Sequence, residues 1–222
     1  MVYLYRQNKE TVASPASDNP KMVFSGQTMG TTYRVVYLDP GGRNLKKDID
    51  SILVNFNQAL STYISDSELS RLNKYDSLVY ESMYFYPVLK ASKEVFTATG
   101  GAFDPTIGPL VNAWGFGPGG PALQDSLGVK QLMERVGFEK ISFDDKEVKK
   151  STTDVYLDFS AIAKGYGVDV IAEFLKDKGI VNYLVEIGGE LKGNGVNDKG
   201  ELWKVGVSHP DEEGLANEIY SI

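Results

Sequence analysis

The 222-residue chain contains no cysteine and a single histidine, and each shortage removes a class of chemistry. Without cysteine there is no disulfide, no thiolate nucleophile and no cysteine-ligated zinc or iron–sulfur site. Any Ser-His-Asp triad would have to use His209, and the sequence holds no G-x-S-x-G segment to accompany it. A serine hydrolase is therefore not expected, and we interpret His209, which precedes a proline, as a surface or loop residue.

Long hydrophobic runs and clusters of positive charge are also missing. No stretch approaches the roughly 20 apolar residues that cross a bilayer. The chain has 30 acidic and 23 basic residues, a formal net charge of −7, and no Lys/Arg cluster beside an aromatic platform. We therefore expect no nucleic-acid partner. With 42% hydrophobic residues, the chain can bury the core of one sizeable domain or of two small ones.

Residues 1–22 have the composition of a polar tether. After MVYLY, the chain from Arg6 to Met22 is rich in Ser, Pro, Asn and Lys, which suits a linker better than a packed element. The apolar first residues are compatible with the end of a membrane anchor upstream of residue 1, and equally with an ordinary chain start. The folded domain is expected over residues 23–222.

Hydrophobic periodicity predicts helices and strands along the rest of the chain. Helices are expected at 46–63, 87–99, 125–137 and from about 160 to 178. Strands are expected at 31–39, in a hairpin over 140–151, and at 154–159, 180–190 and 202–210. Strands that adjoin as hairpins and also alternate with helices indicate an α+β fold. Residues 100–120 are predicted to form a glycine- and proline-rich loop, and their aromatic residues argue for a functional loop.

One segment of that loop, GFGPGG at 115–120, matches the G-x-G-x-x-G dinucleotide pattern letter for letter. The dinucleotide fingerprint has to follow a strand and open a helix, whereas a proline occupies the fourth position here and Pro121 follows. We therefore do not expect a nicotinamide site at this place.

The segment LDFSAIAKGYGVD, residues 157–169, changes from strand-like alternation to helical spacing. Asp158 is expected to end a strand, and Ser160 to cap the helix that follows. Lys164 near the helix N-terminus opposes the helix macrodipole, an arrangement that suits a phosphate site because a bound anion would compensate the charge. The alternative interpretation is that Lys164 simply extends into solvent.

Two glycines in the same helix require an explanation. Gly165 and Gly167 each cost about 1 kcal/mol relative to alanine in a helix interior. Either the close approach of a ligand or tight packing against another part of the chain would account for them, and the spacing alone does not decide between the two.

Five segments of the sequence form a recognisable set: MGTTY (29–33), LSTYISDSELSRLN (60–73), TGGAFDPTIGPLVNAWGFG (99–117), LDFSAIAKGYGVD (157–169) and VEIGGELKGNG (185–195). Together they resemble, in chain order, the signature segments of the ApbE family of FAD:protein FMN transferases. The resemblance implies a two-lobed α+β fold with mixed or antiparallel sheets flanked by helices, and FAD bound between the lobes. It also implies Mg²⁺-dependent transfer of FMN from FAD to a Thr or Ser hydroxyl of an acceptor protein, with release of AMP.

The resemblance also assigns roles to individual residues. Those that it places at the FAD site are Met29, Tyr63, Ala102, Phe103, Asp104, Asp158 and Lys164. Among them, Met29 and Tyr63 would contact the flavin, and Asp158 and Lys164 are the expected catalytic residues. The backbone carbonyl of Ala161 would be a Mg²⁺ ligand.

The sequence departs from the family pattern at its C-terminus. It stops at Ile222, before the family's ATSG-like segment, its His with Asp-Pro, and the Asp and Thr that complete the metal site. We therefore expect the C-terminal segment, with the remaining metal ligands, to be absent, whether the chain is a fragment, a proteolysed form or a shortened natural form. FAD hydrolysis to FMN and AMP, and FAD binding without catalysis, stay open as alternatives to FMN transfer.

The expected partners and location follow from the family. The acceptor would be a protein of a membrane electron-transfer complex. The expected location is the cell envelope, on the periplasmic side of the inner membrane, with the protein anchored to the membrane.

Overall fold

The computed structural model describes residues 19–118, 126–208 and 216–222. The helices in these ranges are α1 (Lys46–Leu60), α2 (Glu68–Lys74), α3 (Phe85–Ala98), α4 (Gly108–Ala113), α5 (Ser126–Met133) and α6 (Ala163–Asp177). The strands are β1 (Lys21–Thr28), β2 (Thr31–Leu38), β3 (Ser77–Val79), β4 (Ile141–Phe143), β5 (Glu147–Lys150), β6 (Asn182–Ile187), β7 (Glu190–Asn194), β8 (Lys204–Ser208) and β9 (Ala216–Ser221). Helices packed on antiparallel sheets confirm the predicted α+β class.

The largest sheet has the order β1-β2-β6-β7, and every neighbouring pair in it is antiparallel. Strand β6 alternates buried and less buried side chains, whereas β2 does so only as far as Val35 and is buried throughout from there to Leu38. One face of both strands is apolar. The cross-strand pairs on that face are Tyr33–Ile187, Val35–Val185 and Tyr37–Tyr183, all at most 1% exposed. Helices α1 and α6 cover this face, which places β6 and α6 side by side and fixes where α6 begins.

A second core lies beside the first. The three-stranded sheet β3-β5-β4 forms part of it, and helices α2 and α3 contribute Leu69, Leu72, Val88 and Leu89, all completely buried. The segment before α6 adds apolar side chains to this second core rather than to the first.

Helix α1 belongs to both cores. Ile49 and Leu53, in its first half, pack under the large sheet, whereas Phe56 and Leu60, in its second half, pack in the second core. The side chain of Met29 also packs against both clusters. The two cores therefore meet along one continuous helix, and Met29 lies at the junction.

Several predicted elements need correction. Residues 154–159 form no strand and make a single bridge, between Tyr156 and Ile107. The loop predicted at 100–120 contains α4, because Pro109 in its first turn needs no N–H partner. No separate element was predicted for α2, β1, β3, β7 or β9. Strand β1 begins at Lys21 and so includes the last two residues of the predicted tether.

Other predictions are confirmed. Helix α1, helix α3 within two residues of its predicted start, and the β4–β5 hairpin occur as expected. Helix α6 is also present, but it begins at Ala163, about three residues after its predicted start. Gly100 and Gly179, which follow α3 and α6, have φ angles of +60° and +78°, the left-handed conformation that ends helices. Within the described ranges, none of the helices combines the length and the apolar composition needed to cross a membrane.

Candidate functional site

A cleft of about 580 Å³ lies at the junction of the two cores. This volume is within the range of small-molecule and cofactor sites. The lining residues are Met29, Gly30, Phe56, Asn57, Leu60, Ser61, Thr62, Tyr63, Ile64, Phe159, Ser160, Ala163 and Lys164. Three of the separate sequence motifs, at MGTTY, STY and LDFSAIAKG, thus converge on one cavity. A groove of about 650 Å³ elsewhere holds none of the predicted site residues, so we assign the site to the smaller cleft.

Met29 is held at the cleft by an unusual backbone conformation. Met29 and Gly30 form the two-residue turn between β1 and β2, where Thr28 pairs with Thr31. Both turn residues have positive φ angles, +48° for Met29 and +71° for Gly30, as expected for the tight turns that match strand twist. Glycine or asparagine is the usual residue at such positions, so a methionine there is strained. Strain of this kind is common at functional sites.

Tyr63 stands at the mouth of the cleft, with 66% of its surface exposed. Its hydroxyl donates a hydrogen bond of 2.7 Å to the carbonyl oxygen of Phe116, in the turn after α4. Phe116 is itself 76% exposed. The hydrogen bond between Tyr63 and Phe116 connects residues 99–117, the segment after α3, to the edge of the cleft.

Asp158 is 8% exposed and organises the turn that leads into α6. Its Oδ1 accepts a hydrogen bond of 2.6 Å from the N–H of Ser160, and its own N–H donates to the carbonyl of Pro105 at 2.7 Å. The predicted role of Ser160 as helix cap is wrong, because α6 begins at Ala163 and its N-cap residue, Ile162, makes no side-chain cap bond. The short side chain that satisfies a backbone donor here is that of Asp158.

Lys164 lines the cleft and forms an ion pair there. Its Nζ donates a hydrogen bond of 2.6 Å to Oε1 of Glu190, the first residue of β7. The carboxylate of Glu190 thus compensates the cation that opposes the macrodipole of α6. The second oxygen, Oε2, is buried and has no hydrogen-bond partner within the part of the chain that the structure describes. Sequence reasoning missed Glu190, whose only signal is its place directly after the diglycine.

The GAFDP segment is not among the cleft's lining residues. Ala102 is exposed, and Phe103 is partly buried. Oδ1 of Asp104 accepts hydrogen bonds from the backbone N–H and the hydroxyl of Thr106, at 2.8 and 2.6 Å. Thr106 is completely buried and accepts a further bond from the N–H of Gly137. The described contacts of Asp104 therefore fold the loop, and a contact of Ala102, Phe103 or Asp104 with FAD stays a prediction.

Tyr156, which the sequence analysis did not single out, packs over the start of α4. A Cβ atom on Gly108 would lie 2.2 Å from Cδ1 of Tyr156, so only glycine fits there. Burial raises the pKa of the Tyr156 hydroxyl, which also hydrogen-bonds the side chain of Asn112, so the tyrosine is neutral near pH 7. This packing joins α4 to the segment that carries Asp158.

The two glycines of α6 have different surroundings. A Cβ atom on Gly167 would lie 2.8 Å from Cε of Met29, so close packing explains this glycine. At Gly165, no described atom outside the local helix backbone lies within 4 Å of the corresponding position. Packing therefore accounts for Gly167 and not for Gly165.

The residues described here do not complete a Mg²⁺ site. Ala161, whose backbone carbonyl the resemblance assigns as a ligand, lies in the exposed turn before α6. Across ranges 19–118, 126–208 and 216–222, no group of three or more His, Cys, Asp or Glu side chains has the geometry to hold a metal ion. We therefore assign no chemical step to a metal.

Other predicted features are only partly described. Gly115 to Pro118 follow helix α4 and not a strand, which supports the rejection of a nicotinamide fingerprint; the last two glycines of that pattern lie outside the described residues. His209 and residues 1–18 of the predicted tether also lie outside them.

Comparison with known proteins places the chain in a family. Residues 29–222 match the ApbE family. The chain belongs to the ApbE family. A Haemophilus influenzae protein named FAD:protein FMN transferase is 40% identical over 220 residues, which cover 92% of this chain and 63% of that protein. The chain thus spans less than two thirds of the length of this relative.

Solved ApbE structures share the fold. The flavin transferase ApbE from Vibrio cholerae matches with a TM-score of 0.83 at 37% identity, over 90% of this chain and 68% of that chain. The apo form of the Pseudomonas stutzeri flavinyl transferase ApbE matches with a TM-score of 0.82 at 32% identity, over 92% and 67%. These matches confirm the resemblance and the ApbE-like α+β fold.

Proposed function

We propose that this protein transfers FMN from FAD to a Thr or Ser hydroxyl of an acceptor protein and releases AMP. The observation that carries the proposal is the convergence of three motifs of the ApbE family on one cleft of about 580 Å³. The cleft has apolar walls at Met29 and Phe56, which suit a flavin ring, and a lysine at its edge, which suits a phosphate.

The proposed reaction is a phosphoryl transfer with a defined balance of atoms. The acceptor hydroxyl oxygen forms a bond to the FMN phosphorus of FAD, and the bond from that phosphorus to the bridging oxygen breaks. The bridging oxygen keeps the electron pair and leaves as part of AMP, while the hydroxyl proton passes to water. Catalysis of such a step rests on positioning and on neutralising the charge that develops.

Residues of this chain would supply both requirements. Lys164 brings a positive charge to the cleft, and its bond to Glu190 holds the ammonium in a defined place. Asp158, through its bond to Ser160, fixes the turn that forms one wall. Mg²⁺ dependence is part of the proposal, because pyrophosphate oxygens are preferred Mg²⁺ ligands. Among the described residues, the backbone carbonyl of Ala161 is the ligand that the family resemblance assigns.

The test is incubation of the protein with FAD, Mg²⁺ and a threonine-containing acceptor peptide, followed by intact mass analysis and AMP measurement. Covalent addition of FMN to the peptide together with AMP is the expected result. Free FMN and AMP without peptide modification would replace transfer by FAD hydrolysis. Bound, intact FAD without AMP would leave only a flavin-binding module.

A lysine variant with a matched control tests the role of Lys164. Lys164→Ala should raise the Kd for FAD about 10- to 100-fold, since a hydrogen bond to a charged group contributes about 1.5–3 kcal/mol. Lys192→Ala is the control, because Lys192 pairs with Asp169 at the same 2.6 Å distance and joins the same two elements, α6 and β7. Equal affinities of the two variants would remove Lys164 from the site.

We also propose that the protein works in the cell envelope, on an acceptor of a membrane electron-transfer complex. The support is family membership and the polar composition of residues 6–22. Protease treatment of intact spheroplasts tests the location. Digestion of the protein would agree with an envelope-facing site, and complete protection until lysis would contradict it.

A further inference from the structure

The wall of the cleft that carries Asp158 is held by side chains instead of a sheet. Residues 153–157 lead into this wall, and the one β-bridge that they make among the described residues joins Tyr156 to Ile107. The N–H of Asp158 adds one backbone bond, to Pro105. Nevertheless Leu157 and Phe159 are at most 1% exposed, so their backbone groups need partners away from water.

Asn73 supplies both partners of Leu157. Its Nδ2 donates to the carbonyl oxygen of Leu157 at 2.8 Å, and its Oδ1 accepts from the N–H of the same residue at 2.8 Å. One side-chain amide thus reproduces the pair of bonds that a neighbouring strand would make. An amide side chain has the necessary combination of donor and acceptor, whereas a carboxylate has acceptors only.

Lys150 connects the same two segments, the end of α2 and residues 153–158, through hydrogen bonds of its own. It is 6% exposed, and its Nζ donates to the carbonyl of Val155 at 2.9 Å, of Thr153 at 3.2 Å and of Asn73 itself at 3.3 Å. The ammonium group therefore joins the end of α2, which contains Asn73, to the segment that leads to Asp158.

We propose that Asn73 is a positioning residue for the flavin cleft. By fixing both backbone groups of Leu157, it sets the position of Asp158 and hence of the turn at Ser160, which together with Phe159 lines the cleft. Asn73 is itself not a lining residue. The inference rests on the proposed function, since it concerns the site at which FAD would bind.

The experiment compares Asn73→Ala with Asn197→Ala by titration of each protein with FAD, at a temperature at which both are fully folded. Asn197 is the matched control, because its Oδ1 accepts from the N–H groups of Lys199 and Glu201 in the loop between β7 and β8. We expect a rise in Kd of at least 10-fold for Asn73→Ala and less than 2-fold for Asn197→Ala. The absorption spectrum of the bound flavin should shift in the first variant only.

A second variant keeps the test decisive where Asn73→Ala does not fold. Asn73→Gln retains the donor and the acceptor on a side chain that is one methylene longer. It should fold, and it should still weaken FAD binding several-fold, because the displaced amide moves Leu157. Wild-type affinity in either folded variant would overturn the positioning role. Failure of the wild-type protein to bind FAD would instead refute the proposed function, and the inference with it.

Discussion

Replacing Gly165 by alanine should raise the free energy of unfolding by about 1 kcal/mol. In a helix interior glycine is about 0.8–1.0 kcal/mol less favourable than alanine, and this position lies in the first turn and a half of α6. Nothing opposes the gain, because no described atom beyond the local helix backbone lies within 4 Å of the new Cβ. For a chain of this length, the gain corresponds to a rise in Tm of about 2–4 °C.

Gly167→Ala is the informative comparison, because its gain in helix propensity is opposed by a steric clash of the new methyl group. Its Cβ would lie 2.8 Å from Cε of Met29 and 3.4 Å from Cδ1 of Ile187. The methionine end is flexible and can move, so the net change in stability should fall between zero and about 1 kcal/mol. The displaced Met29 lines the cleft, however, so FAD affinity should fall several-fold.

Urea unfolding with an unchanged m-value, and FAD titration, check both variants. For Gly165→Ala we expect higher stability and unchanged FAD affinity, since neighbouring Ala163 and Lys164 line the cleft and Gly165 does not. A more stable protein that binds FAD 10-fold more weakly would refute this reasoning and show that the glycine is needed for the ligand. A loss of stability would show that the space beside Gly165 is occupied.

Two further predictions concern carboxylates. Asp158→Asn should weaken FAD binding while changing the free energy of unfolding by at most about 1 kcal/mol. The change in stability is small because an amide oxygen can still accept the hydrogen bond from the N–H of Ser160. A larger loss of stability, measured by calorimetry, would make Asp158 a structural residue. The hydrogen bonds of Arg43 lower the pKa of the buried Asp39 carboxyl from 3.8 to about 2. Since this folded-state pKa is depressed below the unfolded value, its contribution of roughly 1–2 kcal/mol is complete above about pH 5 and is lost as the pH falls toward about 2. Urea midpoints of Asp39→Asn should therefore lie below wild type at pH 7 and approach it at pH 2; a constant difference would contradict this.

The elements that could be predicted are those whose packing follows a simple period. Helix α1 has buried residues at helical spacing, β6 alternates throughout and β2 alternates as far as Val35, so their hydrophobic patterns contain the information. Residues 154–159 alternate in the same way and yet form no strand. Their backbone partners are the side chain of Asn73, 84 residues from Leu157, and that of Lys150, and no local pattern reveals such partners.

The site was predictable to the extent that its residues lie in motifs. The sequence indicates that Met29, Tyr63 and Lys164 belong together, and the structure brings all three to one cleft. It does not indicate Glu190, because the choice of a partner for Lys164 depends on the register of β7 beside α6. The sequence also does not indicate that the carboxylate of Asp104 accepts its hydrogen bonds from Thr106. An acidic residue in a loop suits a ligand site equally well.

The sharing of α1 between the two cores limits how the cleft can change shape. If the two cores moved apart to open the cleft, this helix would have to bend between Leu53 and Phe56. These two residues pack in different cores and are at most 3% exposed. Such a bend breaks helical hydrogen bonds in a segment without proline or glycine, where kinks are rare. We therefore expect the wall of the cavity that α1 forms to keep its shape, so that a molecule entering the cleft has to fit a surface already in place.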